Sequence, residues 1–295
     1  MATGICLPPG IDSSHIVGLG TTGMVAIIPH TQRVIKFPHP EPDARARYEV
    51  EIKVYERLEP LREKSCSTIL RYYGSSEHGI TLEYVENGNL REHLRKVGLP
   101  SSMLLLRWAR QAAQALVFCH ASAVLHGDIN CSNIFLDKKL NLRLGDFAGS
   151  SIDNSPASIC YSTTHQLPTS DSSSDSEDVF ITKETEIFAF GSTLYEMVTG
   201  RPPYDDKPDS EVELLFRSRK FPQVHNATIL GSVIRKCWNV EFSSMDEVLK
   251  SIEQYEDSTS QPCFALRPFL FIQKWGCILF SSVIENFKWL VCRLS

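Results

Sequence analysis

No two cysteines of this chain form a CxxC pair, and its nine cysteines show no Cys/His spacing suited to a zinc site or a disulfide framework. The first ten residues lack a positively charged stretch leading into a long apolar one, so no secretory signal is read there. Both absences lead to the expectation of a reducing setting, cytoplasmic or nuclear. The sequons at Asn130 and Asn226 are then chance matches. Basic charge is short as well. The formal net charge is −5 with no basic stripe to override it, which argues against nucleic acid as a partner. What is present is ordinary for a globular protein: 42% hydrophobic and 22% charged residues over 295 positions, enough for one large domain or two lobes.

The pattern changes character along the chain. Residues 16–28 predict a strand, a glycine-rich turn and a second strand, and the β-branched run 31–37 predicts another. Helical spacing over 45–61 places Val50, Val54, Leu58 and Leu61 on one stripe. Two more short strands are expected around 69–73 and 80–85. After Gly88-Asn89 the expectation is helix, over 90–97, 102–121, 184–199, 211–217 and 229–238, with an irregular Ser/Asp-dense stretch over 150–178. Strands first and helices after imply an α+β class, a small β-rich lobe joined to a larger α-helical one.

His126-Gly-Asp128-Ile-Asn130-Cys-Ser-Asn133, followed by Asp146-Phe147, is the most informative stretch. An Asp with an Asn five residues on, and a second Asp eighteen residues after the first, suits phosphoryl transfer from Mg-ATP. Asp128 could orient and deprotonate a hydroxyl, while Asn133 and Asp146 could hold the metal. Gly18, Gly20, Gly23 and Val25 fit GxGxxGxV. A plain hairpin turn is the ordinary reading of such glycines. Here a strand rather than a helix follows them, which favours a lid over a triphosphate and disfavours a dinucleotide turn. Lys36, in the next strand, could bind phosphate as a compact cation once an anion aims it. Glu51 on the following helix is the candidate anion, with Glu49 the alternative on another face.

In these residues the chain resembles the eukaryotic protein kinase family, over roughly residues 14–255. Leu82-Glu83-Tyr84-Val85-Glu86-Asn87-Gly88-Asn89 resembles the family's hinge, and 190–204 resembles its deep C-lobe helix and exit loop, which small-molecule kinases lack. Cys237-Trp238 fits the same pattern. The resemblance implies a two-lobed protein kinase fold over 12–256, with N-lobe 12–85 and C-lobe 86–256. It implies ATP and Mg2+ as cofactors and transfer of the γ-phosphate to protein Ser/Thr hydroxyls. By the same resemblance Asp128 is the base, Asn133 and Asp146 hold Mg2+, and Lys36 with Glu51 orients the phosphates. Leu82 would be the gatekeeper, backbone groups of Glu83 and Val85 would meet the adenine edge, Asn89 would lie near the ribose, and Val25 and Phe135 would line the adenine slot. His126, Phe147 and Tyr55 would stack in a column.

Several family features are missing. Gly127 stands where an Arg usually pairs with an activation-segment phosphate, and 166–181 carries four acidic residues and no Lys or Arg, so activity is expected not to need phosphorylation there. Asn130 replaces a Lys; an amide can bond a γ-phosphate oxygen but cannot offset its charge. Ala148 replaces the Gly of Asp-Phe-Gly, Glu186 replaces an Asp, and no Ala-Pro-Glu closes the segment. Kinase-like domains abundant in fungi show similar changes. A nucleotide-binding pseudokinase scaffold and, less favoured, a small-molecule kinase are the rival readings. The protein substrate is not legible. The apolar tail 257–295 is interrupted too often for a spanning helix of ~20 residues. Membrane contact by 263–295, through Trp275, Lys288 and Trp289, is one reading; docking onto the kinase body or a segment with no evolved fold are others, and no function is assigned to it.

Overall fold

Residues of period two in the N-terminal part pair into one antiparallel sheet of order β1-β2-β3-β5-β4. Its strands are β1 Ile16–Leu19, β2 Gly23–Ile27, β3 Arg33–Pro38, β4 Tyr72–Ser76 and β5 Gly79–Glu83. β3 lies in the middle, with Lys36 opposite Val25 of β2 on one side and Ile80 of β5 on the other. Alternation sorts the strand cleanly. Ile35 and Phe37 join Met24 and Ala26 in a small outer cluster, while Val34, on the same face as Lys36, packs into the main core. This computed structural model describes residues 7–157, 161–168, 181–224 and 229–260.

The long helix α1, Pro42–Ser65, starts with Pro at its first turn, where the missing N–H costs nothing. It runs beyond both expected ends. Its buried face carries Glu51, Val54, Tyr55 and Leu58, whereas Leu61, expected on the same stripe, is exposed. The helical lobe comprises α2 Leu90–Val97, α3 Ser102–Ala121, α4 Lys183–Thr199, α5 Asp209–Arg217, α6 Gly231–Trp238 and α7 Met245–Ser260. Two short antiparallel pairs lie among them, β7 Ile134–Leu136 with β8 Leu142–Leu144, and β6 Val124–Leu125 with β9 Ser151–Ile152.

Helix α4 is the axis of this lobe. A Thr182/Thr185 capping box starts it and Gly200, at φ +79°, ends it. From Glu186 to Met197 every residue but Tyr195 is buried, the mark of a helix surrounded by protein. Gly191 is required by packing: a Cβ there would sit 2.7 Å from Cys237 Cβ. Trp238 donates its Nε1–H to Ser192 Oγ at 3.0 Å, so the Cys237-Trp238 pair is the seam between α6 and α4. The compact unit reaches Ser260, and the expected boundary at 256 falls inside α7. Most of the tail, including the whole of 263–295, lies outside the described residues. Among the described residues no helix is long and apolar enough to cross a membrane.

Candidate functional site

The cleft face of β3 delivers Lys36 to two carboxylates. Its Nζ lies 2.6 Å from Glu51 Oε2 and 2.7 Å from Asp146 Oδ1. Glu51 rather than Glu49 is therefore the partner on α1. Burial alone would push the ammonium down, but Asp146 and Glu51 outweigh it and hold Lys36 protonated far above neutrality. Glu51 is fully buried, and burial raises its carboxyl despite the pull of Lys36. Asp146 goes the other way: burial opposes ionisation, yet the charge and hydrogen bond of Lys36 win and its pKa falls. Three groups from distant parts of the chain thus form one pre-arranged cation–anion cluster.

A column of rings holds α1 against the loop that carries Asp128. Tyr55 meets Phe147 edge-on at 5.2 Å, and Phe147 packs on His126 at 4.9 Å. Tyr72 of β4, which the sequence did not single out, stacks on Tyr55 at 5.6 Å and 8°. The tautomer of His126 follows from its neighbours. Nδ1 accepts the Asp128 N–H at 3.2 Å, and Nε2 donates to the Gly145 carbonyl at 3.0 Å.

The loop 126–133 is anchored from α4 at spacings of seven and three residues, which share one helix face. Glu186 Oε1 accepts the Gly127 N–H at 3.0 Å while Oε2 bonds His120 Nε2. Thr193 Oγ1 donates to the Ile129 carbonyl at 3.1 Å. Glu196 holds Arg91, whose Nη1 donates to Ser132 Oγ at 2.7 Å. Gly127 sits at φ +78°, and a Cβ there would lie 2.2 Å from the Gly149 carbonyl oxygen. No Arg fits this position without movement of the loop.

On this platform Asp128 is gripped from both sides. Asn130 Nδ2 donates to Oδ1 at 3.0 Å and Asn133 Nδ2 donates to Oδ2 at 2.9 Å. Burial raises the Asp128 carboxyl, opposed in part by these bonds. Asn130 is engaged within the loop: its Nδ2 also reaches the Asp128 carbonyl at 3.1 Å, and its Oδ1 takes the Ser132 N–H at 2.8 Å. Asn133 spends only its Nδ2 on Asp128, and the Asp146 carboxylate takes the Lys36 ammonium on Oδ1 and a backbone hydrogen bond from Ala148, so Asn133 Oδ1 and the Asp146 carboxylate are the oxygens a metal could use. One carboxylate and one amide oxygen, completed by phosphate and water, fit Mg2+, which prefers few protein ligands.

The lid glycines divide by purpose. A Cβ at Gly23 would sit 2.3 Å from the Phe37 carbonyl oxygen, so that glycine serves the β2–β3 pairing. At Gly18 and Gly20 a Cβ would meet its nearest atom at 3.5 Å, an ordinary contact, and Gly20 closes the turn by giving its N–H to the Gly23 carbonyl at 2.9 Å while its own carbonyl accepts from His39 Nε2 at 2.9 Å. Val25 and Phe135, one from each lobe, pack against the main core at the edge of the cleft. Glu83 gives its N–H to the Arg71 carbonyl and its carboxylate to Arg143 at 2.9 Å. The Val85 N–H bonds no backbone carbonyl among the described residues. Asn89, expected near the ribose, uses Oδ1 to cap α2 through the Glu92 N–H at 2.9 Å.

The activation segment is fastened without an Ala-Pro-Glu. Asp153 forms a two-fold ion pair with Arg57 of α1, at 2.7 and 2.8 Å. Tyr161 OH approaches Glu186 Oε1 at 3.5 Å, and His165 is buried beside Arg91. Arg57, Tyr72, His120 and Arg91 were not singled out from the sequence, since each is an ordinary helix or strand residue until the fold brings its partner near. The acidic residues Asp171, Asp175, Glu177 and Asp178 lie outside the described residues.

A five-stranded lobe carrying a Lys–Glu pair, over a helical lobe carrying an Asp–Asn–Asp set, defines a two-lobed kinase domain. A sequence profile of the protein tyrosine and serine/threonine kinase family matches residues 32–250. The chain belongs to this family. It is 35% identical over 123 residues to a probable serine/threonine-protein kinase of Dictyostelium discoideum, covering 42% of this chain and 25% of that one. It is 33% identical over 153 residues to the calmodulin-binding receptor-like cytoplasmic kinase 1 of Arabidopsis thaliana, covering 47% and 32%. A probable serine/threonine-protein kinase of Arabidopsis thaliana is 26% identical over 231 residues, covering 74% and 59%. The chain spans between a quarter and a third of the length of the first two relatives.

Proposed function

We propose that this chain is an active protein serine/threonine kinase that transfers the γ-phosphate of Mg-ATP to a protein hydroxyl. The observation that carries this reading is the complete cluster around Lys36, with Glu51 at 2.6 Å and Asp146 at 2.7 Å, beside an Asp128 held by two amides. Lys36 would orient the α- and β-phosphates, aimed by Glu51. Asn133 Oδ1 and the Asp146 carboxylate would hold Mg2+, which with the triphosphate supplies the electrophile and neutralises its charge. Asp128, its carboxyl raised by burial, would take the hydroxyl proton. Gly18, Gly20 and Gly23 would form the lid, and Val25, Phe135, the Glu83 carbonyl and the Val85 N–H would receive the adenine. Asn89 keeps only its Nδ2 for the ribose.

A pseudokinase scaffold is the second reading, favoured by one observation: Asn130 puts no cation where charge shifts during transfer. Serine/threonine acceptors accord with the names of the relatives, and a cytoplasmic setting accords with the receptor-like cytoplasmic kinase among them. The test is acceptor class. Full-length protein with labelled Mg-ATP is expected to phosphorylate protein substrates on Ser or Thr and to leave choline and aminoglycosides unlabelled. Label on the small molecules alone would overturn the reading.

A further inference from the structure

Asn130 stands two residues after Asp128 and is 8% exposed. Its amide nitrogen donates within Asp128, reaching Oδ1 at 3.0 Å and the carbonyl at 3.1 Å. Its Oδ1 accepts the Ser132 N–H at 2.8 Å. The second carboxylate oxygen of Asp128 takes Asn133 Nδ2, which also reaches the Asp128 carbonyl at 2.8 Å. Two amides therefore fix the rotation of one carboxylate, and one of them is tied to the loop backbone. An Asn130 turned toward a phosphate would have to release Asp128 and leave the carboxylate held from one side only.

We propose that Asn130 is a positioning residue, which aims the Asp128 carboxylate at the acceptor hydroxyl and does not bond the transferring phosphoryl group. The inference rests on the kinase reading above. In that reaction Asp128 receives the hydroxyl proton as the acceptor oxygen bonds phosphorus, and the bridging P–O bond breaks with its electron pair leaving on ADP. Neutral amides suit this task. They orient the carboxylate through directed bonds without forming an ion pair that would weaken it as a base.

Steady-state kinetics of the full chain with Asn130→Ala and Asn130→Asp separates the roles. Asn130→Asp keeps an oxygen for the Ser132 N–H but sets an acceptor against Asp128. Positioning predicts that Asn130→Ala lowers kcat roughly 10- to 100-fold, the scale of a misplaced reacting group. It also predicts that Asn130→Asp falls at least as far, with the KM for Mg-ATP unchanged in both. A role confined to the loop turn predicts Asn130→Asp equal to wild type, which would overturn the inference. So would a rise in KM for Mg-ATP with kcat preserved, which would assign Asn130 to the phosphates. Early melting together with lost Mg-ATP binding in both variants would assign it to stability and overturn it too. Wild type as inactive as Asp128→Asn would remove the kinase reading itself, and this inference with it.

Discussion

At the scale of single residues, Lys36 and Glu51 tie the proposed phosphoryl transfer to folding. Glu51 is fully buried and Lys36 nearly so. Removing the ammonium strands a carboxylate in the core, an uncompensated charge worth about 3–5 kcal/mol. Lys36→Met is therefore expected to cut kcat roughly 10²–10³-fold and to lower the melting temperature. Adding Glu51→Leu to that variant should restore stability while leaving turnover lost. Melting curves and single-turnover rates of both variants check this, and a double variant no more stable than Lys36→Met would contradict it. Lys36, Asp128, Asn133 and Asp146 could be singled out in the sequence because the chemistry proposed for them demands fixed residue types at fixed spacings. Asn130 was noticed there but its bond was not, since a spacing of two residues does not say which way an amide turns.

At the scale of elements, the activation segment is held by groups the protein encodes outright. Asp153 supplies Arg57 with a carboxylate in a two-fold geometry of the kind a phosphate would accept. Gly127, at positive φ and against Gly149, leaves no space for the Arg that would read a phosphate. Phosphatase treatment is expected to leave kcat unchanged, and Gly127→Arg to destabilise the fold by more than about 1 kcal/mol without creating phosphate dependence. Loss of turnover on dephosphorylation, traced to a site within 150–182, would contradict this.

His165 gives the same segment an acid limit. Burial, with the Arg91 guanidinium nearby, pushes it from 6.5 down to about 3. Between those values the unfolded chain binds a proton that the folded protein refuses, so stability is complete above pH 6.5 and falls as pH falls. At pH 5.5 the loss from this group is about 1.4 kcal/mol, roughly 3–6 °C in melting temperature. His165→Gln should remove that part of the difference between pH 7.5 and 5.5. An identical pH response in the two proteins would show that His165 is not the titrating group.

Element ends were legible where caps were present. The helix over 102–121 was placed to the residue, and Ser101 caps it; that over 90–97 lies between Asn89 and Gly98. Helix α7 was not anticipated, although Ser244 and Glu247 carry the S-x-x-E signal of a capping box. In the structure Glu247 N–H reaches Ser244 Oγ at 3.4 Å, while the Glu247 carboxylate bonds the neighbouring Ser243. The strand expected at 69–73 forms later, as β4, because Ile69 and Leu70 are used elsewhere. Ile69 bridges Leu144, and the Leu70 N–H bonds the Leu144 carbonyl at 2.9 Å. A local apolar run cannot say whether it will pair within its own sheet or with the other lobe.

At the scale of the whole molecule, the two lobes are joined through the site itself. The Lys36–Asp146 ion pair, the ring column from Tyr72 to His126 and the Ile69–Leu144 bridge all cross between the β-rich lobe and the helical lobe. The order of strands before helices made this architecture readable, whereas the crossing contacts exist only in three dimensions. The central claim is that the assembled cleft performs phosphoryl transfer. Its most direct test is γ-phosphate transfer from labelled Mg-ATP by the purified full chain, with Asp128→Asn measured beside it on basic and acidic protein substrates. Label on wild-type reactions that is absent with Asp128→Asn is the predicted result. Equal, background-level label for both, from folded proteins that bind Mg-ATP, would contradict the claim and favour the scaffold.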